Sequence, residues 1–201
     1  MSAVRCPARP IDAVVIGASA GGVEGLSAVL PVLPAGLRAS VFIVLHLPRE
    51  YPSLCAEIFA PRCALQILEV QDKDPVVAGC VYFAPPDYHL LIDQGPRLAL
   101  SVDEPVHFSR PSIDVLFESA ADLYGQRLLG VLLTGASQDG ADGLAAVHRA
   151  GGITVVQRPE GGHESQMARA ALQRGPVDHV LPLNEIGTFL ASIAVPESVK
   201  R

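Results

Sequence analysis

The sequence lacks both a long apolar run and a cluster of basic residues. Its apolar stretches, such as VFIVLHL and LLGVLLTG, have the length of strands, whereas a membrane helix needs about 20 apolar residues. The formal net charge is −6, and lysine and arginine form no run interleaved with aromatic residues. We therefore expect no membrane insertion and no nucleic-acid partner.

Paired cysteines and an export signal are also missing. Pro10 and Asp12 interrupt the stretch that would have to be the hydrophobic part of a signal peptide. The cysteines form no CxxC pair and no His/Cys grouping at metal-ligand spacing. We predict reduced thiols, a cytoplasmic location, no metal and no cofactor. The four scattered cysteines are Cys6, Cys55, Cys63 and Cys80.

The sequence is long enough and hydrophobic enough to form one hydrophobic core. Its 201 residues are 49% hydrophobic, which predicts a single domain over 1–201 with loosely ordered termini at 1–10 and 195–201. Strand-like runs alternate with amphipathic ones, as in IDAVVI followed by VEGLSAVLPVL. This alternation predicts an α/β fold with a doubly wound, mainly parallel sheet and helices on both faces.

Between residues 64 and 101 the alternation gives way to ALQILEV, CVYFAP, HLLID and RLALS, with the turn-forming DQGPR before the last run. Strand-like runs that follow one another without a helix indicate a locally antiparallel insert or hairpin. An apolar stripe at helical spacing then predicts a helix from about Ser112.

Serine, histidine and aspartate follow three of the predicted strands, where functional groups gather in an open parallel sheet. The first strand runs into Gly17-Ala18-Ser19-Ala20-Gly21, and another ends at His46. The glycine turn at Ser19 allows two functional interpretations. A phosphate cradle is disfavoured, because the glycines miss the G-x-G-x-x-G register and no acid follows the second strand.

A nucleophile turn fits better, since G-x-S-x-G exposes a serine hydroxyl and His46 could accept its proton. Ser19 could equally be a helix N-cap, and His46 a buried ring bonded to backbone. The orienting acid could be Asp139, after the run LLGVLLTG, or its neighbour Asp142, and the spacing leaves both open.

Six segments, in order, give the chain a family resemblance from about Ile11 to Leu190. They are VVIGASAGG, the strand ending HLP, VYFAPPDYHLL, RPSIDVLF, LLTGASQDGADGL and GPVDHVLPLNEI. The chain resembles the catalytic domains of the CheB chemotaxis methylesterases, which implies a sheet of about seven strands with an antiparallel part.

The resemblance implies a catalytic triad of Ser19, His46 and Asp139, which selects Asp139 over Asp142. It also places an oxyanion-hole donor at the N–H of Ala136, and Ala20 and Gly21 belong to the same substrate-binding turn. The implied activity is removal of methyl groups from glutamate γ-methyl esters, with glutamine deamidation as a second reaction. The implied partner is a methyl-accepting chemotaxis receptor; the oligomeric state is not predicted.

The sequence departs from the family pattern at four places. Ala136-Ser137 stands where the family usually has Met-Gly, and Met167-Ala168 stands where it commonly has Met-Pro. Ala20 stands where the family often has Thr. The receiver domain that precedes the catalytic domain in familiar members is not in this sequence, so we expect a stand-alone member or an excised domain. The altered Ala136-Ser137 loop motivates an alternative, a non-catalytic binding module in signalling.

Overall fold

A computed structural model describes residues 9–48, 53–95 and 97–193. Seven strands form one sheet in the order β3-β4-β2-β1-β7-β8-β9, and every adjacent pair in it is parallel. Two further strands, β5 and β6, form a separate antiparallel sheet. The strands are β1 Ala13–Ala18, β2 Ser40–Leu45, β3 Gln66–Glu69, β4 Cys80–Phe83, β5 His89–Asp93, β6 Arg97–Ser101, β7 Leu128–Leu132, β8 Ile153–Gln157 and β9 His179–Leu181.

Helices cover both faces of the seven-stranded sheet. Alternate residues of a strand point to opposite faces, so Val14 and Ile16 of β1 join one core cluster and Ala13 and Val15 join the other. The first cluster includes residues of α1, α2 and α6; the second includes residues of α3, α4, α5 and the β5–β6 hairpin. The helices are α1 Gly22–Val29, α2 Cys55–Phe59, α3 Ile113–Tyr124, α4 Ala141–Arg149, α5 Gln166–Arg174 and α6 Leu183–Ser192.

The central strand β1 has β2 on one side and β7 on the other. Gly17 near its end pairs with Val44 of β2 and with Leu132 of β7. The chain winds outward from β1 in both directions, so the crevice between β1 and β7 is the switch point of the sheet. The loops that follow β1, β2 and β7 therefore meet at one edge, and this brings Ser19, His46 and Asp139 to the same region.

The predicted fold class is confirmed, but the antiparallel part is smaller than the sequence analysis indicated. β3 and β4 pair in parallel, with Ile67 opposite Val81, and among the strands that the structure describes only β5 and β6 form an antiparallel pair. Parallel neighbours usually need a helical crossover, whereas here residues 70–79 carry the chain back without a helix. No periodic pattern in the sequence marks such a connection, so the prediction of antiparallel pairing was wrong for β3 and β4.

The helix predicted from Ser112 is confirmed, with Ser112 as its N-cap. No helix among the described residues is long and apolar enough to cross a membrane. Most of the two predicted loose termini, at 1–8 and 195–201, lies outside the described residues, and the single domain over 1–201 stays a prediction.

Candidate active site

Ser19 lies in the tight turn between β1 and α1. Its N–H donates to the carbonyl of Thr134 after β7 (3.0 Å), and its carbonyl accepts from the N–H of Gly22 (2.7 Å). The N-cap of α1 is Gly21, in a left-handed conformation with φ 75°, and no side chain caps the helix. The hydroxyl of Ser19 is therefore not used as a helix cap, and the side chain is partly exposed.

The glycines of this turn permit close packing. A Cβ on Gly17 would lie 2.4 Å from Cγ2 of Ile113, and one on Gly22 would lie 2.6 Å from Cδ1 of Leu45. Both distances are far inside van der Waals contact, so any larger residue would push the neighbouring element away. Close packing therefore explains why glycine occupies these positions, and no phosphate-binding role is needed to explain it.

His46 follows β2 directly beside the end of β1, where its N–H donates to the carbonyl of Ala18 (3.0 Å). Its ring contacts the loop that follows β7: Nε2 lies 2.8 Å from Oδ2 of Asp139. The His46 side chain is 13% exposed and that of Asp139 is fully buried. The ring is thus bonded to a carboxylate and not to backbone.

Asp139 receives more hydrogen bonds than its contact with His46. The first turn of α3 supplies three of them: Ser112 Oγ (2.8 Å) and the N–H of Asp114 (3.0 Å) donate to Oδ1, and the N–H of Ile113 (2.7 Å) donates to Oδ2. A helix N-terminus has unsatisfied N–H groups and a positive dipole end, both of which favour an anion. The carboxylate is therefore fixed in position and in charge.

The pKa of Asp139 reflects this environment. Burial acts to raise it, but the hydrogen bonds from His46 and from the N–H groups of Ile113 and Asp114 outweigh burial and lower it below the usual value. Asp139 is thus ionised, and an ionised carboxylate can only accept hydrogen bonds. It follows that Nε2 of His46 carries the proton, which leaves Nδ1 as the basic nitrogen of the neutral ring.

Asp114, which the sequence analysis did not single out, is a second buried carboxyl group beside Asp139. Its Oδ1 accepts from the N–H groups of Gly140 (2.9 Å) and Gly143 (2.6 Å) and so caps α4. The pKa of Asp114 is raised to about 7: burial raises it most, the hydrogen bond from Gly143 acts to lower it, and the charge of Asp139 acts to raise it. Asp114 thus fixes the loop that carries Asp139.

His89 is a second residue missed by sequence reasoning. It is 1% exposed; its Nδ1 accepts from the N–H of Ser112 (3.1 Å), and its Nε2 lies 3.1 Å from the carbonyl oxygen of Glu104. His89 therefore supports the turn that holds Asp139. The motif RPSID, with a proline before a serine N-cap and an aspartate in the first turn, is the signal that could have pointed to this turn.

Asp142, the rival to Asp139, lies in the first turn of α4 and pairs with Arg174. The structure therefore brings His46 together with Asp139 and not with Asp142. Within the described residues, no hydrogen bond links Ser19 Oγ to a neighbour. Catalytic hydrogen bonds are often formed only when substrate is bound. The missing hydrogen bond is therefore compatible with Ser19 as the nucleophile.

The predicted oxyanion donors lie in the turns that follow β1 and β7. Among the described residues, no acceptor is bonded to the N–H groups of Ala20, Gly21 or Ala136. Gly135, just before Ala136, is confined, since a Cβ there would lie 2.5 Å from Cε of Met167 and 3.0 Å from Cβ of Ser19. The two turns are thus packed against each other.

A small cavity of about 80 Å³ opens beside His46, lined by His46, Leu47, Phe108, Ser109, Arg110 and Pro111. A doubly wound sheet with a serine, a histidine and an aspartate at its switch point has the parts of a serine hydrolase. The chain belongs to the CheB methylesterase family, whose model matches residues 14–190.

Curated relatives and a solved structure agree with this assignment. A relative from Leptospira interrogans is 42% identical over 175 residues, which are 87% of this chain and 91% of its own length. The protein-glutamate methylesterase/protein-glutamine glutaminase of Symbiobacterium thermophilum is 39% identical over 88% of this chain but only 49% of its own length. The crystal structure of the Thermotoga maritima CheB methylesterase catalytic domain matches with a TM-score of 0.86 at 29% identity, covering 92% of this chain and 100% of that one.

Proposed function

We propose that this chain hydrolyses glutamate γ-methyl esters with Ser19 as the nucleophile. Ser19 Oγ attacks the ester carbonyl while Nδ1 of His46 takes its proton. The protonated ring then delivers that proton to the departing methanol, which leaves a glutamyl–serine ester. A water molecule, deprotonated by His46, attacks this ester and releases glutamate and free Ser19.

The observation that carries the proposal is the contact between His46 Nε2 and Asp139 Oδ2, at 2.8 Å. Asp139 is held by three further donors from the first turn of α3, so it can orient the imidazole and stabilise its protonated form. Because the contact uses Nε2, the basic nitrogen is Nδ1.

The oxyanion of the tetrahedral intermediate requires donors that are not already used. The N–H groups of Ala20, Gly21 and Ala136 suit this role, since none of them donates to a described residue. Loss of one such donor typically costs about 10²- to 10³-fold in kcat. These donors belong to the main chain, so the replacement of Met-Gly by Ala136-Ser137 changes the wall of the site and not its donors.

The proposed substrate is the methylated cytoplasmic helix of a chemotaxis receptor, and the proposed location is the cytoplasm. Relatives that cover most of this chain are named protein-glutamate methylesterase/protein-glutamine glutaminase, which supports the ester reaction and a second one, deamidation of glutamine. Small residues around Ser19 suit an ester that projects from a helix, because such a group needs only a shallow cleft.

The test is methanol release from methylated receptor membranes by the natural chain and by Ser19→Ala. We expect release by the natural chain and background release by the variant. Ser27→Ala is the matched control, because Ser27 is a serine on α1 whose hydroxyl donates only to its own helix, at the carbonyl of Val23. Equal, background-level release by all three proteins would contradict the esterase and favour the alternative of a binding module.

A further inference from the structure

Asp114 also belongs to a second group of side chains, which contains no member of the proposed triad. His107, Asp114 and Asp142 each offer one ligand atom, and these atoms lie within 4.8 Å of one another. Two ligand atoms at about 2.1 Å from one ion lie at most about 4.2 Å apart. A separation of up to 4.8 Å is slightly wider than this limit, so the three side chains would have to move inward to bind one cation together.

An independent observation points into this cluster. Asp114 is 4% exposed, and its Oδ1 is used by the two N–H groups of the α4 N-terminus. Its Oδ2 is buried and has no hydrogen-bond partner among the described residues, although Nε2 of His107 lies 3.5 Å away. A buried carboxylate oxygen without a donor is costly, and a cation would satisfy it.

The loop that carries His107 is held in place before any ligand binds. Val106 and Ser109 exchange two backbone hydrogen bonds, of 3.1 and 2.8 Å, across a turn whose central residues His107 and Phe108 have φ of 49° and 63°. Arg110 ties the loop back by donating to the carbonyls of Val102 and Asp103. The imidazole is thus presented toward Asp114 by a defined turn.

The cluster is accessible from solvent. His107 and Asp142 line a cavity of about 580 Å³ together with Arg174 and Arg169. Arg174 pairs with Asp142, so a cation must compete with this guanidinium and with the charge of Arg169. This competition gives the proposal its sharpest test.

We propose that His107, Asp114 and Asp142 form a binding site for a divalent transition-metal ion such as Zn²⁺, with its remaining positions open to water from the cavity. One imidazole and two carboxylates suit Zn²⁺ better than the all-oxygen preference of Mg²⁺ or Ca²⁺. A bound ion would join the loop above the His46 cavity to the N-terminus of α4. The site shares no side chain with the proposed triad, although the N–H of Asp114 donates to Asp139, and metal binding can be measured without the esterase reaction.

The test is calorimetric titration of the chelator-treated full chain with Zn²⁺, and with Mg²⁺ in parallel. We expect saturable 1:1 binding of Zn²⁺ and weaker binding of Mg²⁺. His107→Asn and Asp142→Asn should each weaken Zn²⁺ binding by at least about 10- to 100-fold, the loss found even for groups that only support a metal ligand. Asparagine is chosen at His107 because it tolerates positive φ.

Two further variants separate this site from other zinc ligands such as the thiols. His163→Asn removes a histidine that lines the same cavity without joining the cluster and should bind as the natural chain does. Arg174→Gln frees Asp142 and should bind more tightly. The proposal is overturned if the natural chain takes up no Zn²⁺, or if His107→Asn and Asp142→Asn bind as tightly as the natural chain.

Discussion

Asp139 and Asp114 are neighbouring buried carboxyl groups, both at helix N-termini, that differ in how many donors they receive. Asp139 accepts from Ser112, from two N–H groups of α3 and from His46, and its pKa is lowered. Asp114 has one oxygen with two donors and one without any among the described residues, and its pKa is raised to about 7. Burial alone does not set the charge of a carboxyl group; hydrogen-bond donors and neighbouring charges act with it or against it.

The carboxyl groups of Asp139 and Asp114 therefore have different tasks. Asp139 is kept ionised and can orient an imidazole, whereas Asp114 uses its backbone N–H to hold Asp139 and its side chain to cap α4. Three substitutions, from the largest expected effect to the smallest, test these tasks and the packing of the helix that holds Asp139.

Replacing the acid that contacts the histidine should abolish most of the activity. Asp139→Asn replaces one carboxylate oxygen with an NH2 group, which then faces either His46 and the N–H of Ile113 or the hydroxyl of Ser112 and the N–H of Asp114, all of which are donors. We expect kcat for methanol release to fall about 10⁴-fold, as when the aspartate of such a triad becomes asparagine. Thermal melting followed by circular dichroism checks that the variant is folded, and a loss of less than tenfold in a folded protein would contradict the assigned role.

The second substitution moves the helix that holds Asp139. In Gly17→Ala, the new Cβ would lie 2.4 Å from Cγ2 of Ile113, whose N–H donates to Asp139. We expect a loss of about 1–3 kcal/mol in the free energy of unfolding, as for other overpacked cores, and a fall in kcat. Urea unfolding and methanol release measure the two effects.

Gly36→Ala is the matched control for this change, because a Cβ at Gly36 meets nothing within 4 Å. It should be neutral or slightly stabilising. If Gly17→Ala were as stable and as active as Gly36→Ala, the close packing of β1 against α3 would not matter for the site.

The third substitution tests the raised pKa of Asp114. A native pKa of about 7 lies above the ordinary 3.8, so the native state holds more protons between these values and this group lowers stability as pH rises through them. Asp114→Asn keeps an acceptor for the α4 N–H groups and does not titrate. With chelator present, we expect the variant to gain stability relative to the natural chain between pH 5 and pH 8, with kcat within tenfold. A difference in unfolding free energy that does not change with pH would contradict the raised pKa.

The sequence predicted the sheet, the helix from Ser112 and the strand ends that carry Ser19, His46 and Asp139, because each depends on a local pattern of apolar and turn residues. It could not decide between Asp139 and Asp142 by spacing, since they are close neighbours on either side of the N-cap of α4 and the sequence does not give the direction of their side chains. The family resemblance favoured Asp139, and the structure places Asp139 against His46.

The supports of Asp139 were not predictable in the same way. The contacts made by Ser112, Asp114 and His89 join residues 23 to 29 positions apart in the sequence. Only the packing of α3 against α4 and β5 brings these residues together. The parallel pairing of β3 and β4 was not predicted either, because no helix marks the crossover between them.

The most direct test of the account is the position of the proton on His46. In ¹⁵N-histidine-labelled protein, NMR can distinguish the two ring nitrogens once the pH is raised until the ring shifts stop moving, with His46→Gln used to assign the signals. We expect Nε2 to carry the proton and Nδ1 to carry none, because Nε2 donates to an ionised Asp139. A neutral ring protonated at Nδ1 would contradict it, since that nitrogen could not accept the proton of Ser19.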